Sequence, residues 1–534
     1  MVLLGITVYK FILSVFLIVI YLTIYLCFVL LNAILPLNLF KKETLMNQRN
    51  LTLLTDLYEL TMMQGYFKEK DANEMVIFDA FYRSNPDHGG YAICAGLEQF
   101  VEYVKNLHFE QNDVDYLRST GMFEEEFLDY LLHFKFSGDI YAIPEGTVIF
   151  PREPLIKVIA PIMEAQLVET ALLNIINHQS LIATKAARVV YAAGGDGVME
   201  FGLRRAQGPD AGIYGARAAM IGGCIGTSNV LCGQMFQVPI KGTHAHSWIM
   251  SFSDELTAFR TYAKQYPSAC ILLVDTYDTL DSGVPNAIKV FTEMREAGIP
   301  LKNYGIRLDS GDLAYLSKKA KKMLDAAGFT DAMISASNDL DEYLISSLKQ
   351  QGATINSWGV GTNLITSKDC PAFGGVYKLA AIKDKTTGKF IPKIKLSENA
   401  EKITNPGDKT IRRIYNKKTG KIIADLICLV DEEFDTANSL LLFDPIETWK
   451  KTHLAPNSYT MRELMVPIFK NGEYIYQSPS VMELRDYCTS EKETLWEESL
   501  RFKYPHKVHV DLSHKLWTMK NQLLDSYHYT KNKQ

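Results

Sequence analysis

The middle of the chain alternates short apolar runs with stretches of helical periodicity. Six runs between residues 197 and 363 end in small or polar residues, and most lead into a helical stretch: GVMEFGLRRA, VPIKGTHAHS, CILLVDTYDT, YGIRLDSGD, MISASNDLD and INSWGVGTN. Successive run ends 34, 28 and 24 residues apart are occupied by Asp275, Asp309, Ser337 and Gly361. Such spacing fits one strand–helix unit per run, with right-handed crossovers and a parallel sheet. We therefore predict an irregular α/β barrel, with an open doubly wound sheet as the alternative.

The flanking regions follow other patterns. The alternating runs EMVIFDAFYR and YAICAG predict strands, and the apolar period of EAQLVETALLNIINHQSLIATKAARVVYAAG predicts one long helix. Near the start, Asp56 and Glu59 have the spacing of a capping box, and Gly65 could end the helix that they begin. After residue 380, the turns DKTTGKF and NKKTGK lie between alternating residues and predict an antiparallel sheet. The tail from about residue 460 has a helical, charged pattern.

These patterns divide the 534 residues into four parts. A chain of this length is expected to fold into roughly two to four domains. The parts are an apolar extension (1–45), a mixed α/β N-terminal domain (46–185), an α/β barrel domain (186–380), and a C-terminal β-hairpin and helical region packing on the N-terminal domain (381–534).

The extension contains an uncharged run of 21 residues, Phe11–Leu31. A bilayer core requires about 20 apolar residues in a helix, so this run could anchor the chain in a membrane. Alternatively, Met46 begins a stretch typical of the start of a globular protein, and the run is an upstream extension absent from the working protein. Either interpretation places the body of the chain in the cytoplasm.

Composition changes this picture little. A net charge of −5 argues against a nucleic-acid partner, whose binding domain is usually basic. The eight cysteines form no C-x-x-C pair, which indicates a reducing compartment rather than a disulfide framework or zinc ribbon.

Several run ends carry groups suited to anions. Arg204 and Arg205 follow the first run, and a guanidinium matches phosphate oxygens in pairs. Gly359, Gly361 and Thr362 form a turn ahead of a helix, where backbone amides and a hydroxyl can hold an anion. Each pattern alone is weak, because many structural turns share it.

Acidic residues stand at neighbouring run ends. Asp275 with Asp278, and Asp309 with Asp312 beside Arg307, could bind a sugar diol or hold Mg²⁺ through water. For Asp312 we favour capping of the next helix. Acids, arginines and phosphate-binding turns on one rim together predict a phosphorylated sugar with magnesium.

Two histidines, His244 and His246, lie one residue apart at the second run end. Such a pair is typical of zinc hydrolases built on barrels, but no further histidine occurs before His453 to complete a site. An imidazole beside a phosphate site can instead attack phosphorus and carry the phosphoryl group. We assign that role to His246 and expect His244 to be a core residue.

Six motifs, in order, resemble the nicotinate phosphoribosyltransferase family: TDLYELTMMQGYF, EFGLRRAQGPD, GTSNVL, GTHAHSWIMSF, RLDSGDL and VGTNL. The likeness runs from about Met46 to the end of the chain. It implies a type II phosphoribosyltransferase fold, with an irregular α/β barrel, a mixed α/β domain and a homodimer with shared active sites. The implied reaction joins nicotinate to 5-phosphoribosyl 1-diphosphate, coupled to ATP hydrolysis, with Mg²⁺.

The resemblance also implies roles for individual residues. His246 would be phosphorylated by ATP, with Asp275 and Asp309 near the ribose and the magnesium ion. Substrate binding would fall to the remaining motif residues: Tyr58 from a neighbouring subunit and Phe201 around the pyridine ring, Arg204, Thr243 and Arg307 near ring and phosphates, and Gly361 and Thr362 at the 5′-phosphate.

Ser228 bears on the choice of base. Related nicotinamide-using enzymes have an aspartate at this place, whereas a serine hydroxyl can donate to a carboxylate. We therefore expect nicotinate, with nicotinamide or quinolinate as the nearest alternatives. A metal-dependent barrel hydrolase and a membrane-tethered binding protein are the alternatives from other classes.

Overall fold

The computed structural model of the chain describes residues 49–398, 402–445, 447 and 449–531. The apolar run Phe11–Leu31 lies outside the described residues. Among the helices that are described, none has both the length and the apolar character that crossing a membrane requires.

Six strands form a parallel sheet in the middle of the chain. In chain order they are β6 (Gly197–Glu200), β7 (Gly226–Thr227), β8 (Cys270–Leu273), β9 (Tyr304–Leu308), β10 (Met333–Ala336) and β11 (Ser357–Val360). Their order across the sheet is β7-β6-β11-β10-β9-β8. The first strand thus pairs with the last, as in a barrel, whereas a doubly wound sheet reverses strand order at its centre. The predicted irregular α/β barrel is confirmed.

The barrel ladder is open between β7 and β8, where the run VPIKGTHAHS was expected to form a strand. This run makes only an isolated bridge between Thr227 and Ile240. The bridge consists of the hydrogen bonds Thr227 N–H to Pro239 O and Lys241 N–H to Thr227 O, and Pro239 has no N–H with which to extend it into a ladder. Further on, the Leu273 amide of β8 donates to His244 Nε2 at 3.3 Å, so a side chain takes the place of strand pairing.

Helices precede, follow and separate these strands. They are α1 (Leu57–Glu69), α2 (Leu97–Lys105), α3 (Gln111–Ser119), α4 (Glu125–Leu131), α5 (Ile162–Leu167), α6 (Glu169–Ala193), α7 (Pro209–Gly222), α8 (Val230–Phe236), α9 (His246–Met250), α10 (Glu255–Gln265), α11 (Val284–Glu296), α12 (Leu313–Ala326), α13 (Glu342–Gln350), α14 (Thr362–Ile365), α15 (Val481–Glu493) and α16 (His514–Lys531).

The other strands form antiparallel and mixed sheets. One sheet has the order β13-β12-β1-β5-β3-β19-β20 and combines strands from residues 75–161 with strands from residues 375–474. Its strands are β1 (Met75–Tyr82), β3 (Asp139–Ala142), β5 (Ile156–Pro161), β12 (Gly375–Lys383), β13 (Phe390–Pro392), β19 (Val466–Lys470) and β20 (Glu473–Tyr474). A second, of order β17-β16-β21-β15-β14-β18, consists of β14 (Lys409–Asn416), β15 (Ile422–Leu429), β16 (Leu440–Phe443), β17 (Lys451–Leu454), β18 (Tyr459–Glu463) and β21 (His509–Leu512). A small pair is formed by β2 (Ala92–Ile93) and β4 (Val148–Ile149).

Four local expectations differ from the structure. The capping box at Asp56 does not form, because Asp56 exchanges hydrogen bonds with the Thr170 hydroxyl and Glu59 is buried against Gln166. α1 also continues past Gly65 to Glu69. The long predicted helix is interrupted at Val168. The tail beyond residue 460 contains strands as well as helices, whereas both hairpins after residue 380 are present. The four domain boundaries stay predictions.

Candidate active site

The carboxyl ends of the barrel strands lie side by side and bring the predicted run ends together. Backbone hydrogen bonds of 2.8–3.2 Å join neighbouring ends: Val274 N–H to Arg307 O, Ser337 N–H to Leu308 O, Phe201 N–H to Val360 O, and Ser228 N–H to Glu200 O. One rim therefore carries residues of all the predicted anion-binding and acidic motifs.

Two carboxylates occupy adjacent strand ends on this rim. Asp275 Oδ2 accepts from the Asp309 amide at 2.8 Å and from the Ser310 hydroxyl at 2.6 Å. Asp275 Oδ1 is buried and has no hydrogen-bond partner among the described residues. Asp275 thus fixes the turn after β9 with one oxygen and keeps the other available as a ligand.

Arg307 connects three neighbours through its guanidinium group. It donates to Ser337 Oγ at 2.9 Å, to Thr243 Oγ1 at 2.9 Å and to Asp309 Oδ1 at 3.0 Å. The Ser337 hydroxyl also donates to Asp309 Oδ1. Burial alone would raise the pKa of Asp309, but the Ser337 hydrogen bond and the Arg307 charge outweigh it and hold the pKa below its ordinary value. Asp309 is therefore an anion at neutral pH.

His246 begins α9 and faces this network. Its Nδ1 lies 3.1 Å from Thr276 Oγ1, and its Nε2 lies 3.7 Å from Asp309 Oδ2. The side chain is 40% exposed, so a ligand at the rim can reach the ring. A hydroxyl and a carboxylate thus hold the imidazole from two sides while it remains accessible.

His244 has a different environment. It is 7% exposed, its Nε2 accepts from the Leu273 amide, and its ring packs edge-on against Tyr262 with centroids 4.7 Å apart. Burial lowers the pKa of His244 to about 4, so the ring is neutral at pH 7. Since Nε2 is occupied and the ring is buried, the two histidines do not form a metal-binding pair.

Phe201 lies against the last barrel strand because a glycine stands opposite its ring. A Cβ added at Gly359 would come within 2.6 and 2.7 Å of Cδ2 and Cε2 of Phe201. One at Gly361 would lie 3.3 Å from the Phe201 carbonyl oxygen. Thr362, next in the chain, begins α14. The aromatic ring and the glycine turn are thus direct neighbours.

The remaining predicted residues have fewer contacts. Arg204 and Arg205 are exposed in the short turn Leu203–Arg205, and no hydrogen bond or ion pair is recorded for either within the described part of the chain. Ser228 is half-buried directly after β7. Tyr58, in the first turn of α1, is 47% exposed, and the groups that act on the pKa of its hydroxyl are Glu169, Glu59 and Asp56. Burial and then Glu169 raise the pKa of its hydroxyl.

Comparisons with known proteins agree with this arrangement. The nicotinate phosphoribosyltransferase N-terminal domain matches residues 53–177, the family as a whole matches residues 197–420, and its C-terminal domain matches residues 408–520. The nicotinate phosphoribosyltransferase of Bacillus subtilis (strain 168) is 46% identical over 473 residues, covering 89% of this chain and 95% of that relative. The chain belongs to the nicotinate phosphoribosyltransferase family. The resemblance based on six motifs, and the predicted enzyme class, are confirmed.

A human relative supports the same conclusion in both its sequence and its structure. Homo sapiens nicotinate phosphoribosyltransferase is 32% identical over 528 residues, covering 88% of this chain and 96% of the relative. The crystal structure of human nicotinic acid phosphoribosyltransferase superposes with a TM-score of 0.77 at 29% identity, covering 88% of this chain and 99% of the human one.

Three residues of this phosphoribosyltransferase rim were not predicted as site residues. Ser337 forms hydrogen bonds with both Arg307 and Asp309, Thr276 forms one with His246, and Glu200, which precedes Phe201 in the chain, is buried. The sequence alone could have indicated Glu200, because an acid inside the apolar run GVMEF requires a buried partner. For Thr276 and Ser337 the sequence offers only their positions at run ends, where uncharged hydroxyls are common.

Proposed function

We propose that this rim joins nicotinate to 5-phosphoribosyl 1-diphosphate to give nicotinate mononucleotide and diphosphate, the first step of NAD salvage from nicotinate. ATP hydrolysis is coupled to the transfer. The observation that carries the proposal is the network linking His246, Asp309, Arg307 and Asp275, because it places an accessible imidazole beside groups that suit a phosphorylated pentose.

His246 is the proposed phosphoryl carrier. A ring nitrogen attacks the γ-phosphorus of ATP, an N–P bond forms, and the P–O bond to ADP breaks, with both bonding electrons leaving on ADP. Asp309 and Thr276 orient the ring; its other nitrogen keeps its hydrogen, so the ring becomes positively charged as the N–P bond forms, beside the Asp309 carboxylate. Water later hydrolyses the N–P bond and releases phosphate.

Asp275 and Asp309 fit a magnesium ion. Mg²⁺ prefers carboxylate oxygens together with waters and substrate phosphates. Asp275 Oδ1 is a buried oxygen without a hydrogen-bond partner among the described residues, and Asp309 is held as an anion. The ion, when bound, neutralises charge on the leaving diphosphate.

The glycosyl transfer depends on electrostatic support rather than on a strong base. Nicotinate is already an anion, so no base has to remove a proton from it. Its ring nitrogen attacks C1 of the ribose as diphosphate leaves with the electrons of the broken C–O bond. The nearby carboxylates of Asp275 and Asp309 stabilise positive charge that develops on the ribose. Gly361 and Thr362 bind the 5′-phosphate, and Arg204, Arg307 and Thr243 bind the other anionic groups.

The pyridine ring lies between Phe201 and Tyr58 of a second copy of the chain, with Ser228 donating to the carboxylate. The exposure of the Tyr58 side chain supports this sharing, because it leaves the ring accessible to a second copy. We accordingly propose a homodimer.

We also propose that the protein is cytoplasmic, which is consistent with the free thiol state of the seven cysteines in the described part of the chain.

Incubation of the full chain with nicotinate, 5-phosphoribosyl 1-diphosphate, Mg²⁺ and ATP tests the function, with formation of nicotinate mononucleotide as the readout. His246→Ala should lose the stimulation by ATP and keep a slow, uncoupled transfer. Full ATP stimulation in this variant would exclude His246 as the phosphoryl carrier, and preference for nicotinamide in the wild type would favour the alternative base.

A further inference from the structure

Glu200 is an acidic residue in the middle of the protein. It is the last residue of β6, is fully buried, and forms no ion pair among the described residues. Its Oε1 accepts from the Gly202 amide, and its Oε2 accepts from the Thr227 hydroxyl at 2.6 Å. A buried carboxylate without a cation is costly to the fold.

The two donors belong to different turns of the rim. Gly202 lies in the turn after β6, which carries Phe201 and Arg204, whereas Thr227 ends β7 and precedes Ser228. The backbone adds a third link, because the Ser228 amide donates to the Glu200 carbonyl at 3.0 Å. One residue therefore ties the turn with the aromatic ring to the turn with the serine.

The hydroxyl of Thr227 has a fixed direction. It accepts from the Asn229 amide at 3.0 Å, so its own hydrogen points to Glu200. Asn229 in turn caps α8 by accepting from the Cys232 amide and donates to the Gly212 carbonyl of α7. The link between the two turns is thus anchored to two helices and cannot rotate freely.

We propose that Glu200 and Thr227 form a positioning pair that sets the Phe201 turn against the Ser228 turn and so determines affinity for the pyridine carboxylate. The inference rests on the proposed function, which assigns Phe201 and Ser228 to the ring. A carboxylate suits this place because it accepts from an N–H on one turn and an O–H on the other. Glutamine has one acceptor oxygen and fits only in part.

Thr227→Val removes the hydroxyl and keeps the shape of the side chain. We expect the KM for nicotinate to rise about tenfold, as for loss of a buried hydrogen bond to a charged group. The kcat and the KM for 5-phosphoribosyl 1-diphosphate should stay within about twofold. Thr227→Ser should restore the wild-type KM, and Glu200→Gln should give a smaller rise.

Thr410 provides a matched control away from the rim. It is 3% exposed, and its hydroxyl donates to Oε1 of the exposed Glu463 at 2.8 Å, so Thr410→Val also removes a buried threonine hydroxyl that is bonded to a glutamate. We expect a smaller fall in melting temperature than for Thr227→Val and an unchanged nicotinate KM.

The pair has no positioning role if folded Thr227→Val keeps the wild-type nicotinate KM, if all kinetic constants worsen together, or if Thr410→Val raises the nicotinate KM equally. Should the valine variant not fold, Glu200→Gln decides, and an unchanged KM there also overturns the inference. Absence of nicotinate turnover in the wild type would instead refute the proposed function.

Discussion

We expect the side chain of Ser228 to determine whether nicotinate or nicotinamide is the preferred base. A half-buried hydroxyl can donate to the carboxylate of nicotinate, whereas an aspartate there would repel it. We expect Ser228→Asp to lower kcat/KM for nicotinate on the order of 100-fold and to shift preference towards nicotinamide. Ser228→Ala, which removes the donor without adding charge, should cause a smaller loss. Competition assays with both bases measure the preference, and an unchanged ratio in the aspartate variant would make the assignment wrong.

His244 makes the stability of the protein sensitive to acid. Its native pKa of about 4 lies below the unfolded value of about 6.5, so the unfolded chain binds this proton first as pH falls. The contribution to stability is present above pH ~6.5 and is lost as pH falls towards 4. Between pH 7 and pH 5 the loss amounts to about 2 kcal/mol.

The variant His244→Gln tests this linkage, because its amide oxygen can still accept from the Leu273 amide. We expect the free energy of unfolding in urea to fall by about 2 kcal/mol less than in the wild type between pH 7 and pH 5. His133→Gln, which replaces an exposed histidine, is the matched control. Equal pH dependence in wild type and His244→Gln would show that His244 does not titrate in this way.

Gly359 shows how one strand creates room for the base. Its missing side chain lets the Phe201 ring lie directly on β11, since a Cβ would overlap two ring carbons. Gly359→Ala should therefore displace the ring, raise the nicotinate KM about tenfold and destabilise the fold by about 1–3 kcal/mol through overpacking. Gly374→Ala is the control, because nothing lies within 4 Å of a Cβ there. Wild-type kinetics in Gly359→Ala would indicate that Phe201 does not position the base.

Periodicity in the sequence was sufficient for the strands that pair regularly along the barrel. Five of the six apolar runs became β6, β8, β9, β10 and β11, with their polar ends on one rim. The sixth run failed because Pro239 lacks a donor and the following residues pass to β8 through a side chain rather than a ladder. The capping box failed for a related reason, since Asp56 and Glu59 bond to residues more than 100 positions away.

The candidate site, like the fold, could be predicted only in part. The charged residues Asp275, Asp309 and Arg307 were predicted as site residues because a charged side chain at the end of a buried strand needs a partner or a ligand. Which oxygen of Asp309 faces His246, and which hydroxyls complete the network, depends on the twist and register of β8, β9 and β10. The twist and register of these strands are set by packing across the whole barrel, so they cannot be predicted from the local sequence.

At the scale of the whole molecule, the proposed ring-binding residues belong to different elements. Phe201 belongs to the rim, whereas Tyr58 stands exposed on α1, without a recorded contact to the rim in the described residues. If each site takes Phe201 from one copy and Tyr58 from another, neither copy is complete alone. The variants Phe201→Ala and Tyr58→Ala then damage different halves of one site.

Co-expression of these two variants distinguishes shared from self-contained sites. Random pairing makes half of the dimers mixed, and each mixed dimer has one intact site of two, so activity should recover to about a quarter of the wild type while each variant alone stays low. Phe201→Ala co-expressed with His246→Ala is the control, because both changes fall on the same rim and no mixed dimer regains an intact site. Recovery in the first mixture alone requires Tyr58 to act across the subunit boundary. Failure of both mixtures to recover, with mixed dimers present, would mean that Tyr58 serves its own chain, whereas a fully active Tyr58→Ala variant would mean that Tyr58 does not contact the base.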